Sequence, residues 1–138
     1  MAMDVDECRR RFAASRVGRL ATVTADGLPR IVPVTFALVG ESAYSAIDHK
    51  SKSTRHLGRL ANIRATGVAC LLVDRYDEDW TRLWWVRADG AAAVIGASSV
   101  DGRRGIDALV EKYPQYAAAR PRGPVIRVAI ARWTGWHA

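Results

Sequence analysis

At 138 residues, with 49% hydrophobic and 25% charged residues, the chain has the size and composition of one globular domain, which excludes a disordered protein, a repeat array and a multidomain assembly. Its formal charge of +7 raises a nucleic-acid reading, but 18 of the 21 basic residues are arginines spread from Arg9 to Arg132, so nucleic acid is disfavoured as the main partner. No apolar run reaches the roughly 18 residues of a membrane span, and Met1 to Arg11 holds no signal-peptide core, so a cytoplasmic location with Cys8 and Cys70 reduced is expected.

Asp4 and Glu7 have the spacing of a helix capping box, which predicts a short amphipathic helix ending near Ser15. Residues 17 to 38 then hold two runs rich in Val, Ile, Thr and Leu around Ala25-Asp26-Gly27, and Asp-Gly between such runs signals a hairpin. The second run contains Pro29 and Pro33, which cannot donate to a ladder, so it belongs at a strand start, a bulge or a sheet edge. A turn over residues 39–42 returns the chain into a third strand, Ala43 to Ile47.

After a basic stretch, Leu57, Leu60 and Ala61 at helical spacing predict a helix from Thr54 to Ala65, with Ser53 or Thr54 as N-cap and Gly67 as its end. Residues 67–75 read as a largely buried strand, and Trp80 to Ile95 as one long strand bent or bulged near Asp89-Gly90. Asp101 to Lys112 reads as a helix stopped by Pro114, and Pro124 to Trp136 as a last strand with Ile126, Val128 and Ile130 on one face. Strands joined mostly by hairpins argue for a mainly β (α+β) fold, an antiparallel barrel with helices over its openings.

The sequence contains no GxGxxG, GxxxxGK[ST], GxSxG or HExxH, so dinucleotide folds, P-loops, serine hydrolases and zincins lose their usual support. His49, His56 and His137 have no metal-site spacing. Two stretches carry candidate chemistry. In AIDHKSKSTRHL, residues 46–57, an extended backbone would point Lys50 and Lys52 the same way about 7 Å apart, a separation suited to embracing one phosphate. The helix start that follows adds free amides, the hydroxyls of Ser51, Ser53 and Thr54, and the Arg55 side chain. A solvated turn and a nucleic-acid contact stay open on these residues alone. In LLVDRYDEDWTRLWWVRADG, residues 71–90, Trp80, Trp84 and Trp85 lie among Arg75, Arg82 and Arg87. That pattern suits a subunit interface, the rim of a planar-ligand pocket, or core tryptophans beside solvated arginines.

VGRLATVTADGLPRIVPVTFAL followed by YSAIDHKSKSTRHLGRLANIRA resembles the pyridoxamine-phosphate-oxidase-like split β-barrel proteins, which are flavin and deazaflavin oxidoreductases. DRYDEDWTRLWWVRADG resembles their coenzyme F420-dependent subgroup from actinobacteria. The resemblance implies a single FMN-binding split barrel over residues 1–138 and a homodimer with its sites at the subunit interface. It also implies hydride transfer between coenzyme F420, or FMN as the alternative, and a small, planar substrate. A non-catalytic deazaflavin carrier of the same fold is a further alternative.

By the same resemblance, Val32, Pro33, Val34 and Thr35 lie along the cofactor ring, and Ile47 and Asp48 beside the ring and ribityl chain. Lys50, Lys52, Ser53, Thr54 and Arg55 hold the phosphate, and the region from Trp80 through Trp84 to Arg87 approaches from the partner subunit. The longer C-terminal part of the pyridoxamine phosphate oxidases proper is missing, so oxidation of pyridoxamine phosphate is not expected. Tyr44, Tyr76, solvent or an arginine-held water are the candidate proton donors.

Overall fold

The computed structural model of the chain describes residues 1–47 and 54–138, with side chains in the second stretch from Gly58 onward. Helix α1 (Val5–Ala14) begins where the sequence predicts, with the Asp4 carboxylate accepting from the Glu7 amide at 2.8 Å. Strands β1 (Gly18–Val23) and β2 (Pro29–Val34) form the expected antiparallel hairpin. Gly27 takes φ 90° in its turn, a conformation open to glycine at no steric cost.

The expected single run to residue 38 breaks at Thr35–Phe36. Strand β3 (Ala37–Val39) abandons β1 and pairs with β4 (Ser42–Ala46), which in turn pairs with the last strand. The remaining elements are α2 (Thr54–Thr66), β5 (Val68–Arg75), β6 (Trp84–Ile95), α3 (Val100–Lys112), α4 (Pro114–Ala118) and β7 (Val125–His137). The seven-stranded antiparallel sheet runs β2-β1-β5-β6-β7-β4-β3. Its two outermost strands, β2 and β3, are joined by only two residues, so the sheet must curl until its edges meet. This is the split barrel, in the mainly β (α+β) class that the strand order predicts.

The barrel interior holds Leu20, Phe36, Leu71, Val73, Val86, Ile126 and Val128, all nearly or completely buried. Helix α1 inserts Cys8 and Phe12 at the end near Gly135, and α2 inserts Leu60 and Ile63 at the opposite end. Phe12 packs 4.6 Å from the Phe36 ring and edge-on to Trp133 at 5.2 Å, a burial worth about 1.5–3 kcal/mol. Helices α3 and α4 cover the outer face of β3, β4 and β7 through Ile106, Leu109 and Tyr113. The outer face of β2, β1, β5 and β6 stays open, with Ile31 64% and Val68 49% exposed.

Several expectations hold in detail. Pro29 and Pro33 sit on an edge strand whose one partner among the described residues is β1. The β6–β7 register shifts at Asp89/Gly90, with Ala131 the extra residue of the bulge. Ile126, Val128 and Ile130 share the buried face of β7.

A second expectation does not hold. Trp80–Arg82 is a 3-10 turn, not the start of β6, because the Asp79 carboxylate accepts from both the amide (3.1 Å) and the hydroxyl (2.7 Å) of Thr81. Arg82 and Trp84 therefore do not share a strand face. Pro114 ends α3 as expected and also opens α4, since proline is favoured at a first helical position.

Candidate functional site

Strand alternation and helix periodicity build a groove at the α2 end of the barrel. Strand β1 turns Leu20 and Thr22 inward, and Thr24 continues that row past its end. Opposite them, β2 supplies Val32, paired with Leu20, and Arg30, paired with Thr22, while Ile31 forms the outer rim. Helix α2 closes the groove with Gly58, Arg59 and Asn62, whose spacing puts them on one side. The cavity holds about 350 Å³, at the small end of the range for small-molecule sites.

Its chemistry is an apolar floor with cationic and hydroxyl walls. Leu20 and Val32 make the floor, and Thr22 is held in place by the Asn62 amide, which donates to its Oγ1 at 3.1 Å. Arg59 is half-buried, and that burial lowers its pKa, although a guanidinium stays charged under all ordinary conditions. Arg30 and Arg59 thus add two fixed positive charges to a partly dry cavity, an arrangement suited to a flat ligand with an anionic arm. The groove fits a flavin-type group on the chemistry of its donors.

Of the residues that the resemblance assigns to the cofactor, Val32 lines this groove. Pro33 lies on the opposite face of β2, exposed and facing Arg19, and Val34 is buried in the core. The Thr35 hydroxyl lies 2.7 Å from the Tyr116 hydroxyl of α4, away from the groove. Ile47 is buried, its amide donating to the Pro124 carbonyl at 3.1 Å. Asp48, Lys50, Lys52 and Ser53 lie outside the described residues, as do the side chains of Thr54 and Arg55.

Trp80 is 68% exposed on its 3-10 turn. Trp84 packs on the core under the Arg11 guanidinium, 5.0 Å from its ring, and borders a separate hollow with Arg16, Asp74 and Arg75. Among the described residues that line the groove there is neither tryptophan. Leu20, Thr22, Thr24, Arg30, Ile31, Gly58, Arg59 and Asn62 were not expected from the sequence. The alternation of β1 and the Gly58, Arg59, Asn62 spacing were legible, but which strand faces which helix was not. Among the described residues no cluster of His, Cys, Asp and Glu could hold a metal.

The family described as pyridoxamine 5'-phosphate oxidase matches residues 5–137. The chain belongs to the pyridoxamine 5'-phosphate oxidase family. No curated protein matches it. Among solved structures of this family's fold, a conserved hypothetical protein of Mycobacterium tuberculosis is 20% identical with a TM-score of 0.75, covering 98% of this chain and 85% of that one. A FAD-binding protein of Mesorhizobium loti is 19% identical with a TM-score of 0.71, covering 98% and 95%. The heme storage protein HutZ of Vibrio cholerae is 14% identical with a TM-score of 0.70, again covering 98% and 95%. At these identities the likenesses establish the fold, and they show that one family architecture hosts different ligands. Among the described residues no helix is long and apolar enough to cross a membrane.

Proposed function

We propose that this family member is an oxidoreductase that holds a flavin-type cofactor in the β1–β2–α2 groove, with coenzyme F420 preferred and FMN as the alternative, and serves hydride transfer to a small substrate. The observation that carries this reading is the pairing of an apolar floor, Leu20 and Val32, with two guanidiniums, Arg30 and Arg59, in one 350 Å³ cavity. The sequence KSKS, residues 50–53, runs directly into the start of α2 and supplies cations and hydroxyls for a phosphate. The Mesorhizobium protein of the same fold binds FAD, which supports a flavin-type ligand.

When bound, such a cofactor supplies the hydride chemistry. The chain's own residues do the rest. Leu20 and Val32 exclude water from one ring face, and Asn62 holds the Thr22 hydroxyl aimed into the groove. Arg30 and Arg59 would draw in the anionic arm, Lys50, Lys52, Ser53, Thr54 and Arg55 would hold its phosphate, and Ile47 and Asp48 would border the arm. The extra negative charge of the F420 tail favours it over FMN in a chain of net charge +7.

The same reading makes the protein a homodimer. The open outer sheet face carries Ile31, Ala21, Cys70, Leu72 and Ala91, with the ion pairs Arg19–Asp74 (3.4 Å) and Arg87–Asp89 (2.9 Å) among them. Apolar area interspersed with both charge signs is self-complementary across a two-fold axis. Ile31 belongs both to this face and to the groove rim, so a second copy seated there would border the groove. Trp80, exposed on its turn, would then be contributed from the partner, whereas Trp84 is held on the core of its own chain.

Side-by-side titration of the purified protein with F420 and FMN tests the reading. Tighter binding of F420 is expected, a yellow protein carrying a flavin spectrum would shift the assignment to FMN, and affinity for neither would overturn it. Redox turnover of bound cofactor over a substrate panel separates the enzyme from a carrier.

A further inference from the structure

The two threonine hydroxyls that line the groove differ in what they have left to give. Thr24 is spent, because its Oγ1 donates to Asp26 Oδ1 at 2.6 Å and accepts from the Leu28 amide at 2.8 Å. Thr22 Oγ1 accepts from Asn62 Nδ2 at 3.1 Å, and among the described residues nothing accepts the Thr22 proton. A hydroxyl with a donor already seated on its oxygen must turn its own proton away from that donor. Thr22 is 3% exposed and lines the groove beside Leu20, so its free donor sits at a nearly dry floor, where a buried donor wants a partner.

The groove is graded from floor to rim. Leu20 and Thr22 are buried, Arg59 is half-buried, and Arg30 and Ile31 are exposed. Taking an anion down to the floor costs far more than taking a neutral carbonyl there, so charge belongs at the rim and a neutral acceptor at Thr22. Asn62 reaches Thr22 from α2, on the same side of the helix as Gly58 and Arg59, so one helix face sets both levels.

We propose that Thr22 donates to a ring carbonyl oxygen of the groove's ligand, with Asn62 as the positioning residue that fixes the hydroxyl as a donor. The inference rests on the flavin-type reading and adds an orientation to it. The carbonyl edge of the ring lies at the floor, and the anionic arm leaves past Arg59 and Arg30. The pyrimidinedione of a flavin or deazaflavin carries such carbonyls, whereas a ring without one leaves the buried donor unpaired and is selected against.

The test is fluorescence titration of the whole protein with FMN and riboflavin, or with F420 and its phosphate-free deazariboflavin, whichever pair wild type binds. Thr22→Val should weaken both members of the pair about tenfold, and Thr22→Ser should restore most of the affinity. A carboxylate only accepts, so Asn62→Asp should draw the Thr22 proton back and weaken the phosphate-free member as much, without altering β1. Arg59→Gln should weaken the phosphorylated member alone, and equal losses for both members would overturn the orientation. In infrared difference spectra the bound ring's carbonyl band should move to higher wavenumber in Thr22→Val, which a merely structural threonine would not cause. Unchanged affinity in Thr22→Val, or weaker binding with the carbonyl band unmoved, would overturn the proposal. Failure of wild type to bind either pair would instead remove the flavin-type reading, and this inference with it.

Discussion

The Tyr44 hydroxyl donates to Asp101 Oδ1 at 2.6 Å, and Arg127 pairs with the other oxygen of the same carboxylate. This contact ties β4 to α3 and commits Tyr44, a candidate proton donor by sequence, to a structural task outside the groove. Burial, then Asp101, raise the Tyr44 pKa, while the Tyr44 hydrogen bond and then Arg127 and Arg104 lower that of Asp101. A carboxylate lowered in the folded state stabilises above its unfolded pKa, and that contribution is lost as pH falls through the folded value. Asp101→Asn should therefore cost about 1–3 kcal/mol at pH 7. The deficit against wild type should shrink on acidification below about pH 4, as urea denaturation at several pH values would show.

Gly105 sets a second stability test. A Cβ there would lie 2.4 Å from Tyr44 Cδ1, so Gly105→Ala must push α3 off the sheet and should destabilise by about 1–3 kcal/mol. Gly58 is the control on α2, because a methyl group added there would meet nothing within 4 Å. Gly58→Ala should stabilise by about 0.5–1 kcal/mol through helix propensity, whereas Gly58→Leu should keep that stability and obstruct the groove. Thermal melts with and without F420 distinguish the two effects.

Cofactor affinity tests the groove. Arg59→Gln, Lys50→Ala and Lys52→Ala should each weaken F420 binding by about 1–3 kcal/mol, the range for a lost charge-assisted bond. Fluorescence titrations in which all three matched wild type would remove the groove assignment.

Lys112 predicts an alkaline trend of the same sign as the acid trend of Asp101. Its folded pKa of about 8 lies below the 10.5 of an unperturbed lysine, so between these values the unfolded chain binds more protons and stability rises with pH. Wild type should gain on Lys112→Met between about pH 8 and 10 in urea melts. Tyr113 and Cys8, whose pKa values burial raises, act equally in both proteins.

The outer sheet face predicts the assembly. Leu72→Glu and Ala91→Arg, both on the open side of the β5–β6 ladder, should convert a dimer to monomers in sedimentation velocity while leaving the circular dichroism spectrum unchanged.

Local signals were enough for the α1 cap at Asp4, the Asp26-Gly27 hairpin, the bulge near Asp89-Gly90 and the buried face of β7, because each depends on residues a few positions apart. Short-range competition hid the 3-10 turn at Trp80, where the Asp79 side chain overrode the β-propensity of the tryptophans. The break at Thr35–Phe36 was decided by barrel closure, which the local β-propensity of residues 34–38 cannot express. The groove is likewise non-local. Val32 was legible as a lining residue by resemblance, but Thr22, Arg59 and Asn62 became part of one cavity only when α2 was laid across the inner face of β1 by burial of Leu60 and Ile63. The chain thus carries its local elements in its nearest-neighbour chemistry, while the hydrophobic core chooses which of their polar faces meet.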